Sequence, residues 1–91
     1  MSDWYVYLLR CADNTLYCGI TTDLKRRVAQ HNKGVAAKYT RARTPVTLET
    51  FTEVKDKSEA LKLELKVKKQ ARAAKIDYLN RYREQLTRSE Q

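Results

Sequence analysis

A chain of 91 residues holds one small domain and excludes a second independent hydrophobic core. Apolar residues form 42% of it, which excludes intrinsic disorder, and no segment approaches the roughly 20 apolar residues that a membrane-spanning helix needs. The 19 Lys and Arg against 11 Asp and Glu give a net charge of +8, which favours nucleic acid as the partner and leaves open a basic protein without a polyanionic partner.

The two cysteines, Cys11 and Cys18, do not have the spacing of a zinc site. Neither a basic leader nor an apolar stretch of signal-peptide length precedes the first strand-like run, so a cytoplasmic protein is expected. In that reducing compartment two buried free thiols are favoured over a disulfide between neighbouring strands.

The beginning of the chain predicts a β-hairpin. Residues 4–10 are aromatic, β-branched or apolar on both faces, which is typical of a central strand covered on both sides. Turn-forming residues follow at 12–14, and residues 15–20 have the composition of a second strand.

A helix is predicted next, from Asp23 to Asn32. Good helix-starting residues come immediately before Leu24, and Val28 and His31 continue the same helical face. Gly34 ends this helix, and the stretch as far as Thr44 has no clear period, as expected of a basic loop that Pro45 closes.

The second half predicts a strand and two helices. Residues 46–54 alternate between apolar and polar, with one possible irregularity, which indicates a third and more exposed strand. Ser58 is the expected N-cap of a helix that runs to Lys69, and residues 71–86 continue as a second helix before the last five residues fray.

These elements predict one α+β domain in which helices flank a small three-stranded antiparallel sheet, in the order strand, strand, helix, strand, helix, helix. The domain is expected to span residues 1–82, and residues 83–91 are expected to form a polar, frayed C-terminal tail.

Glu64 occupies an unexpected position on the predicted helix that begins near Ser58. At 100° per residue it falls near the middle of an apolar arc, whereas Glu59 projects onto the polar side. The arc is formed by Ala60, Leu61, Leu63, Val67 and Ala71. Burying an unpaired charge is costly, so Glu64 is expected to hold a cation, pair with a base or lie at the floor of a cleft.

The same projection places Arg27 and His31 beside the apolar face of the first helix, and Arg26 and Gln30 on the opposite side. An arginine fork suits a phosphate, and a histidine can orient water or move a proton near neutral pH. The structural alternative is that Arg27 forms a partly buried ion pair with Glu64 while His31 interacts with the dipole at the end of its helix.

Other polar residues have simple structural interpretations when taken singly. Tyr5, Tyr7 and Tyr17 are typical strand residues that pack against neighbours. A solvated helix face is likewise a sufficient structural explanation for the basic residues Lys62, Lys66, Lys68, Lys69, Arg72 and Lys75.

Taken together and in order, residues 4 to 80 resemble the GIY-YIG nuclease superfamily, in particular its small single-domain YhbQ-like branch. Tyr5-Val6-Tyr7 matches the first tripeptide, and Tyr17-Cys18-Gly19 matches the second. Arg27 and His31 follow at the family's spacing, and Glu64 matches the metal-ligand position of the family's helix. The chain departs from the pattern where Tyr5 replaces the first glycine and Cys18 replaces the isoleucine.

The resemblance implies a metal-dependent endonuclease in which Glu64 binds one Mg²⁺ or Mn²⁺ ion. It implies that Tyr7 or Tyr17 helps to deprotonate the attacking water, with a pKa lowered by Arg27 or by the metal. Arg27 would also stabilise charge on the phosphate, and His31 would assist the tyrosine or contact the phosphate.

The implied substrate is the phosphodiester backbone of DNA, expected ahead of RNA, with branched, nicked or damaged DNA as candidates. The residues expected to bind the backbone are Lys33, Lys38, Arg41, Arg43 and Lys68. A monomer without membrane association is expected, and a protein partner for targeting is left open. The alternatives are a non-catalytic basic nucleic-acid-binding module and a partner-recruitment domain that kept the nuclease fold.

If Tyr7 and Tyr17 belong to one site, the length of the hairpin loop is restricted. Tyr7 and Tyr17 face the same side only if paired positions in the two strands sum to an even number, which requires an odd loop length. A loop of three or five residues is therefore predicted, because a two-residue turn at Asp13 and Asn14 would put the tyrosines on opposite faces.

Overall fold

The computed structural model describes residues 3–89 and contains one three-stranded antiparallel sheet. Its strands are β1 (Trp4–Arg10), β2 (Leu16–Thr21) and β3 (Thr47–Val54), in the spatial order β2-β1-β3. The central position predicted for the first strand is confirmed, and its middle residues are buried on both faces because helices cover both sides of the sheet.

In the described part of the chain, four helices accompany the sheet: α1 (Leu24–Asn32), α2 (Lys38–Arg41), α3 (Lys57–Lys68) and α4 (Arg72–Ser89). The predicted α+β class and element order are confirmed, with the addition of α2, a single helical turn inside the predicted basic loop. Within residues 3–89 none of the helices is long and apolar enough to span a membrane.

The sheet separates two hydrophobic clusters. Val6 and Leu8 point towards α3 and α4, where they pack with Leu63 and Leu79. The alternate side chains of β1 point towards α1 and pack in a second cluster that contains Tyr7, Leu9, Cys11 and Val46. Both cysteines are buried free thiols, as predicted, and they lie in different clusters.

The hairpin loop has the odd length that is required for Tyr7 and Tyr17 to share one face. The last pair of the ladder joins Arg10 to Leu16, which leaves a five-residue loop, and Tyr7 lies opposite Gly19. Tyr7 and Tyr17 therefore share one face of the sheet. The irregularity expected in the third strand is also present, as a shift in register with β3 between Leu8 and Leu9.

The start of α3 differs from the prediction. The N-cap is Asp56 and not Ser58: its backbone is extended, and its side chain accepts a hydrogen bond from the Glu59 backbone N–H at 2.9 Å. A carboxylate at this position satisfies a free amide and also interacts favourably with the positive end of the helix dipole. At α1, Asp23 caps in the same way by accepting from the Arg26 N–H.

The helix α4 continues through Ser89, inside the segment 83–91 that is expected to form a polar tail. Arg83 anchors this part of the helix to the sheet, donating to the Phe51 carbonyl at 3.2 Å with its guanidinium over the Phe51 ring. Residues 90 and 91 lie outside the described residues, and the division of the chain at residue 82 stays a prediction.

Candidate active site

An open cleft of about 180 Å³ lies at the edge of the sheet beside β2. Its walls come from β1, β2, α1 and α3, together with the segment before α2. The lining residues are Tyr7, Tyr17, Gly19, Ile20, Arg27, His31, Ala36 and Glu64. All five residues predicted to act in catalysis are among them, so the fold brings together groups from four separate elements.

Tyr7 and His31 are joined at the floor of this cleft. The Tyr7 hydroxyl lies 2.9 Å from His31 Nε2, and both side chains are almost fully buried. Gly19 makes this possible: a Cβ atom there would lie 2.5 Å from the Tyr7 hydroxyl and 2.7 Å from the ring carbon that carries it. The glycine of the second tripeptide thus gives room for the tyrosine of the first.

Neither tyrosine has the lowered pKa that the sequence interpretation required. Burial, assisted by the neighbouring Tyr17, raises the pKa of Tyr7 well above its ordinary value, and the opposing effect of Arg27 is smaller. Burial likewise raises the pKa of Tyr17, although the charges of Lys68 and Arg27 oppose the shift. The charge of Arg27 alone therefore does not lower either pKa below its ordinary value, and both phenols are neutral near pH 7. Lowering of a tyrosine pKa by a bound metal stays a prediction.

His31 does not cap its helix. Its Nδ1 lies 2.7 Å from Thr40 Oγ1 while its Nε2 faces Tyr7, so both ring nitrogens are engaged by side chains. Burial lowers the pKa of His31, and the positive charge of Arg27 lowers it further. The imidazole is therefore neutral near pH 7 and has one nitrogen able to accept a proton.

Arg27 is half-buried and reaches the cleft, whereas Arg26 is exposed, as the helical projection predicts. The expectation that Gln30 points away is wrong, because its Oε1 accepts a hydrogen bond from Arg27 Nη1 at 3.2 Å. This bond holds the guanidinium across one turn of α1 and leaves further N–H donors of the fork available.

Glu64 lies at the margin of the apolar face of α3 and not at its middle. Ala60, Leu63 and Val67 are buried, but Leu61 is 43% exposed, so the buried face is narrower than projected. The Glu64 carboxylate pairs with Lys68 at 3.4 Å and, within the described part of the chain, not with Arg27. The alternative of an ion pair between the two helices is thus not found, and the acid and the arginine lie on separate walls of the cleft.

The catalytic-domain profile of the GIY-YIG family matches residues 3–78. A UPF0213 protein of Halobacterium salinarum is 52% identical over 71 residues, which cover 78% of this chain and 92% of the relative. A UPF0213 protein of Streptococcus agalactiae is 47% identical over 87% of this chain and 90% of its own length. The chain belongs to the GIY-YIG family.

Two solution NMR structures resemble this GIY-YIG domain in fold. The protein EF2693 from E. faecalis superposes with a TM-score of 0.63 at 38% identity, covering 90% of this chain and 88% of that one. The UPF0213 protein BH0048 from Bacillus halodurans gives a TM-score of 0.54 at 40% identity, with coverage of 86% and 83%. Membership places the domain among nucleases, which act on nucleic acid and generally use divalent metal ions.

The residues of this GIY-YIG domain fit a lightly ligated hard cation. Among the described residues no group of three or more His, Cys, Asp or Glu side chains could enclose a metal. Of the cleft-lining residues that the structure describes, Glu64 alone presents a carboxylate. Mg²⁺ is commonly bound by one or two carboxylates together with water and substrate phosphate, so a single acid facing an open cleft is compatible with it.

The short helix α2 contributes residues that sequence patterns did not indicate. Tyr39 stacks on Tyr17 with ring centroids 5.9 Å apart, and the guanidinium of Arg43 lies 4.0 Å from the centroid of the Tyr39 ring. Thr40 is fully buried beneath His31. A four-residue helix is too short for its period to be recognised in sequence, and no motif signal marks Tyr39 or Thr40.

The predicted nucleic-acid-binding residues differ in their surroundings. Lys33, Lys38 and Arg41 are exposed on α2 or the turn before it. Arg43 forms an ion pair with Asp13 at 2.9 Å and also donates to the Tyr39 carbonyl. Lys68 is exposed beside Glu64.

Proposed function

We propose that this GIY-YIG domain is a metal-dependent endonuclease that hydrolyses phosphodiester bonds of DNA, as a monomer in the cytoplasm. Branched, nicked or damaged DNA is the proposed substrate, ahead of RNA, with a protein partner as a further source of target choice. The observation that carries the proposal is the hydrogen bond between Tyr7 and His31 at the floor of an open cleft that also presents Arg27 and Glu64.

The Tyr7–His31 pair supports removal of a proton from water. A water molecule donates to the Tyr7 oxygen while Tyr7 donates to His31 Nε2, so one proton moves from water to Tyr7 as another moves from Tyr7 to His31. The water oxygen attacks phosphorus, the bond from phosphorus to the leaving oxygen breaks, and the leaving oxygen takes a proton from solvent. The neutral states of both residues, which follow from burial, are the states that this relay requires.

Arg27 and Glu64 have different electrostatic roles on two walls of the cleft. Arg27 is held by Gln30 and donates to the phosphate, whose negative charge grows as the water attacks. Glu64 would hold a single Mg²⁺ or Mn²⁺, which supplies Lewis-acid polarisation of the phosphate when bound. Lys68 balances the carboxylate in the free domain.

Tyr17 lies beside the Tyr7–His31 pair and supports it without forming part of it. Its ring lies 6.5 Å from that of Tyr7 and 5.1 Å from that of His31, and it is stacked on Tyr39. We assign it the placement of the attacking water or of the phosphate beside the relay. The backbone on either side of the cut phosphate is proposed to lie along the basic residues Lys33, Lys38, Arg41, Arg43 and Lys68.

A cleavage assay with matched variants tests this proposal. Labelled single-stranded, duplex, nicked and branched DNA would be incubated with Mg²⁺ and the wild type, Glu64→Gln or Arg27→Ala. We expect cutting to fall by about 100-fold or more in each variant, because each removes a charge that acts on the transition state. Omitting the metal should abolish cutting by the wild type.

Neighbouring residues of the same type provide the controls. Glu59→Gln alters an acid on the same helix outside the cleft, and Arg26→Ala alters the exposed arginine next to Arg27. Both should cut at close to the wild-type rate. Equal cutting by all five proteins would point to a contaminating nuclease, and a binding affinity that survives in every variant without any cutting by the wild type would favour a non-catalytic module.

A further inference from the structure

Thr40 lies directly behind His31, on the side away from the cleft. It belongs to α2 and has no exposed surface. Its hydroxyl oxygen lies 2.7 Å from His31 Nδ1 and 3.2 Å from the Ala37 carbonyl oxygen. A single buried hydroxyl thus links the backbone of α2 to the imidazole that faces Tyr7.

The direction of these bonds follows from the number of protons available. A carbonyl oxygen can only accept, so the contact between Thr40 and Ala37 is a hydrogen bond only if Thr40 donates to it. A threonine hydroxyl has one proton, and its oxygen must then accept from His31 Nδ1. A neutral imidazole with its proton on Nδ1 has a free lone pair on Nε2, which accepts from the Tyr7 hydroxyl.

The opposite tautomer would break this chain. If Thr40 donated to Nδ1, its contact with the Ala37 carbonyl would join two acceptors without a proton between them. Nε2 would then carry the proton and donate to Tyr7, so it could no longer receive one. The Ala37 carbonyl would keep its bond from the Arg41 N–H, but the buried Tyr7 hydroxyl would have no acceptor for its proton among the described residues. Buried polar groups are rarely left unsatisfied, which favours the first arrangement.

We propose that Thr40 is a positioning residue that fixes His31 in its Nδ1-protonated form and thereby leaves Nε2 as the proton acceptor for Tyr7. Thr40 touches neither substrate nor metal in this scheme and acts through His31 alone. The consequence for catalysis rests on the proposed nuclease function. The consequence for the imidazole does not depend on it.

The anchoring of α2 supports this role. The Arg43 backbone N–H donates to the Thr40 carbonyl at 3.0 Å, and the Arg43 side chain pairs with Asp13 in the hairpin loop. Ala12, in the same loop, donates its N–H to the Arg43 carbonyl at 2.8 Å. The turn that carries Thr40 is therefore fixed to the loop between β1 and β2, so that α2 is held in place from the same sheet that carries Tyr7.

Nuclear magnetic resonance gives a direct test, because His31 is the only histidine in the chain. Long-range ¹⁵N–¹H correlation of the imidazole distinguishes a protonated from an unprotonated ring nitrogen. We expect Nδ1 to be protonated and Nε2 unprotonated in the wild type at neutral pH. Thr40→Val, which keeps the shape of the side chain without its hydroxyl, should move the imidazole towards the other tautomer, and Thr40→Ser should restore the wild-type pattern.

Thr52→Val is the matched control. Thr52 is equally buried, and its hydroxyl has no hydrogen-bond partner among the described residues, so its loss should leave the His31 signals unchanged. In the nuclease assay Thr40→Val should lower kcat by about 10- to 100-fold with little change in KM, as expected when an orienting partner is lost, and Thr40→Ser should recover most of the rate.

The two readouts separate the inference from the function on which it rests. A wild-type spectrum with the proton on Nε2, or an unchanged tautomer in a folded Thr40→Val protein, would overturn the role of Thr40 even if the domain cuts DNA. If Thr40→Val fails to fold, the wild-type spectrum and Thr40→Ser still decide the assignment. A tautomer that shifts as expected in a protein without nuclease activity would uphold the positioning role and overturn the proposed reaction.

Discussion

The hydroxyl of Tyr7 lies 2.5 Å from the point where a side chain on Gly19 would begin. The two residues are direct partners across β1 and β2, so the tyrosine reaches His31 by passing over a residue without a Cβ atom. The demand on Gly19 is therefore for space, since its backbone has the ordinary extended form of a strand.

Gly19→Ala should displace the Tyr7 hydroxyl from His31. We expect a loss of about 100-fold in cleavage rate, similar to that of Tyr7→Phe, and a stability loss of about 1–3 kcal/mol from overpacking. Because both changes remove the same proton carrier, the double variant should lose little further activity. Gly34→Ala is the comparison: it strains a backbone at φ 79° but places no atom within 4 Å of Tyr7, so it should lower stability with a smaller effect on kcat than Gly19→Ala. A Gly19→Ala protein with full activity would contradict this interpretation.

Local periodicity accounts for what the sequence predicts correctly. The helical projection selects Arg27 over Arg26 because it depends on a period within a single element. The shared face of Tyr7 and Tyr17 depends in addition on the five-residue loop, because the loop length sets the register between the two strands. No period within one element shows that side chains from four elements line one cleft, and the family resemblance, which covers all four, supplies that expectation.

The features that sequence did not predict depend on contacts between distant segments. Thr40 meets His31 because α2 folds back under α1, and no pattern in four residues records that contact. The raised pKa of Tyr7 likewise follows from its burial in the assembled cleft, which a motif match does not contain. Asp56 and Ser58 are both plausible caps by residue type, and only the hydrogen bond to the Glu59 N–H distinguishes them.

The free energy of unfolding should depend on pH through His31. Burial lowers its pKa in the folded state, so between that value and the ordinary value near 6.5 the unfolded chain binds a proton that the folded domain does not. The contribution of neutral His31 to the free energy of unfolding is therefore fully present above about pH 7. It is lost as the pH falls through this window, with a slope of up to about 1.4 kcal/mol per pH unit. Urea unfolding at a series of pH values between about 5 and 8 measures the slope.

A His31→Gln variant controls for the other titrating groups. The glutamine side chain does not titrate, so the variant is expected to be less stable at neutral pH but to show a flatter pH dependence over the same range. The acidic groups affect the pH dependence of stability chiefly at lower pH. Asp13 is an example, because its hydrogen bond with Thr15 lowers the pKa of its carboxyl group. An unchanged slope in His31→Gln would assign the dependence to another group.

The corrected cap of α3 predicts a difference between two neighbouring substitutions. Asp56→Ala removes the acceptor for the Glu59 N–H and should cost about 1 kcal/mol of stability. Ser58→Ala lies inside the first turn on an exposed position and should change stability by less than about 0.5 kcal/mol. Thermal or urea unfolding of the two variants compares them directly, and a larger loss in Ser58→Ala would restore the cap first expected from the sequence.

The salt dependence of DNA binding should differ between variants of exposed basic residues and a variant of a basic residue that already forms an ion pair. Lys38 and Arg41 are exposed on α2, so replacing either with Ala should reduce the slope of log K against log salt by about 0.9, the value for one released phosphate contact. Arg43 is already paired with Asp13, and Arg43→Ala should change the slope less. These slopes can be measured by fluorescence anisotropy with a labelled oligonucleotide.

Arg81→Ala is the matched control for the binding series. It removes the same charge from an exposed position on α4, which packs against the opposite face of the sheet from Tyr7 and His31. If nucleic acid binds at the cleft, Arg81→Ala should leave the slope close to that of the wild type, because its charge lies away from the proposed path of the backbone. Equal reductions from Arg81, Lys38 and Arg41 would mean that the net charge of +8 attracts DNA without a defined binding surface.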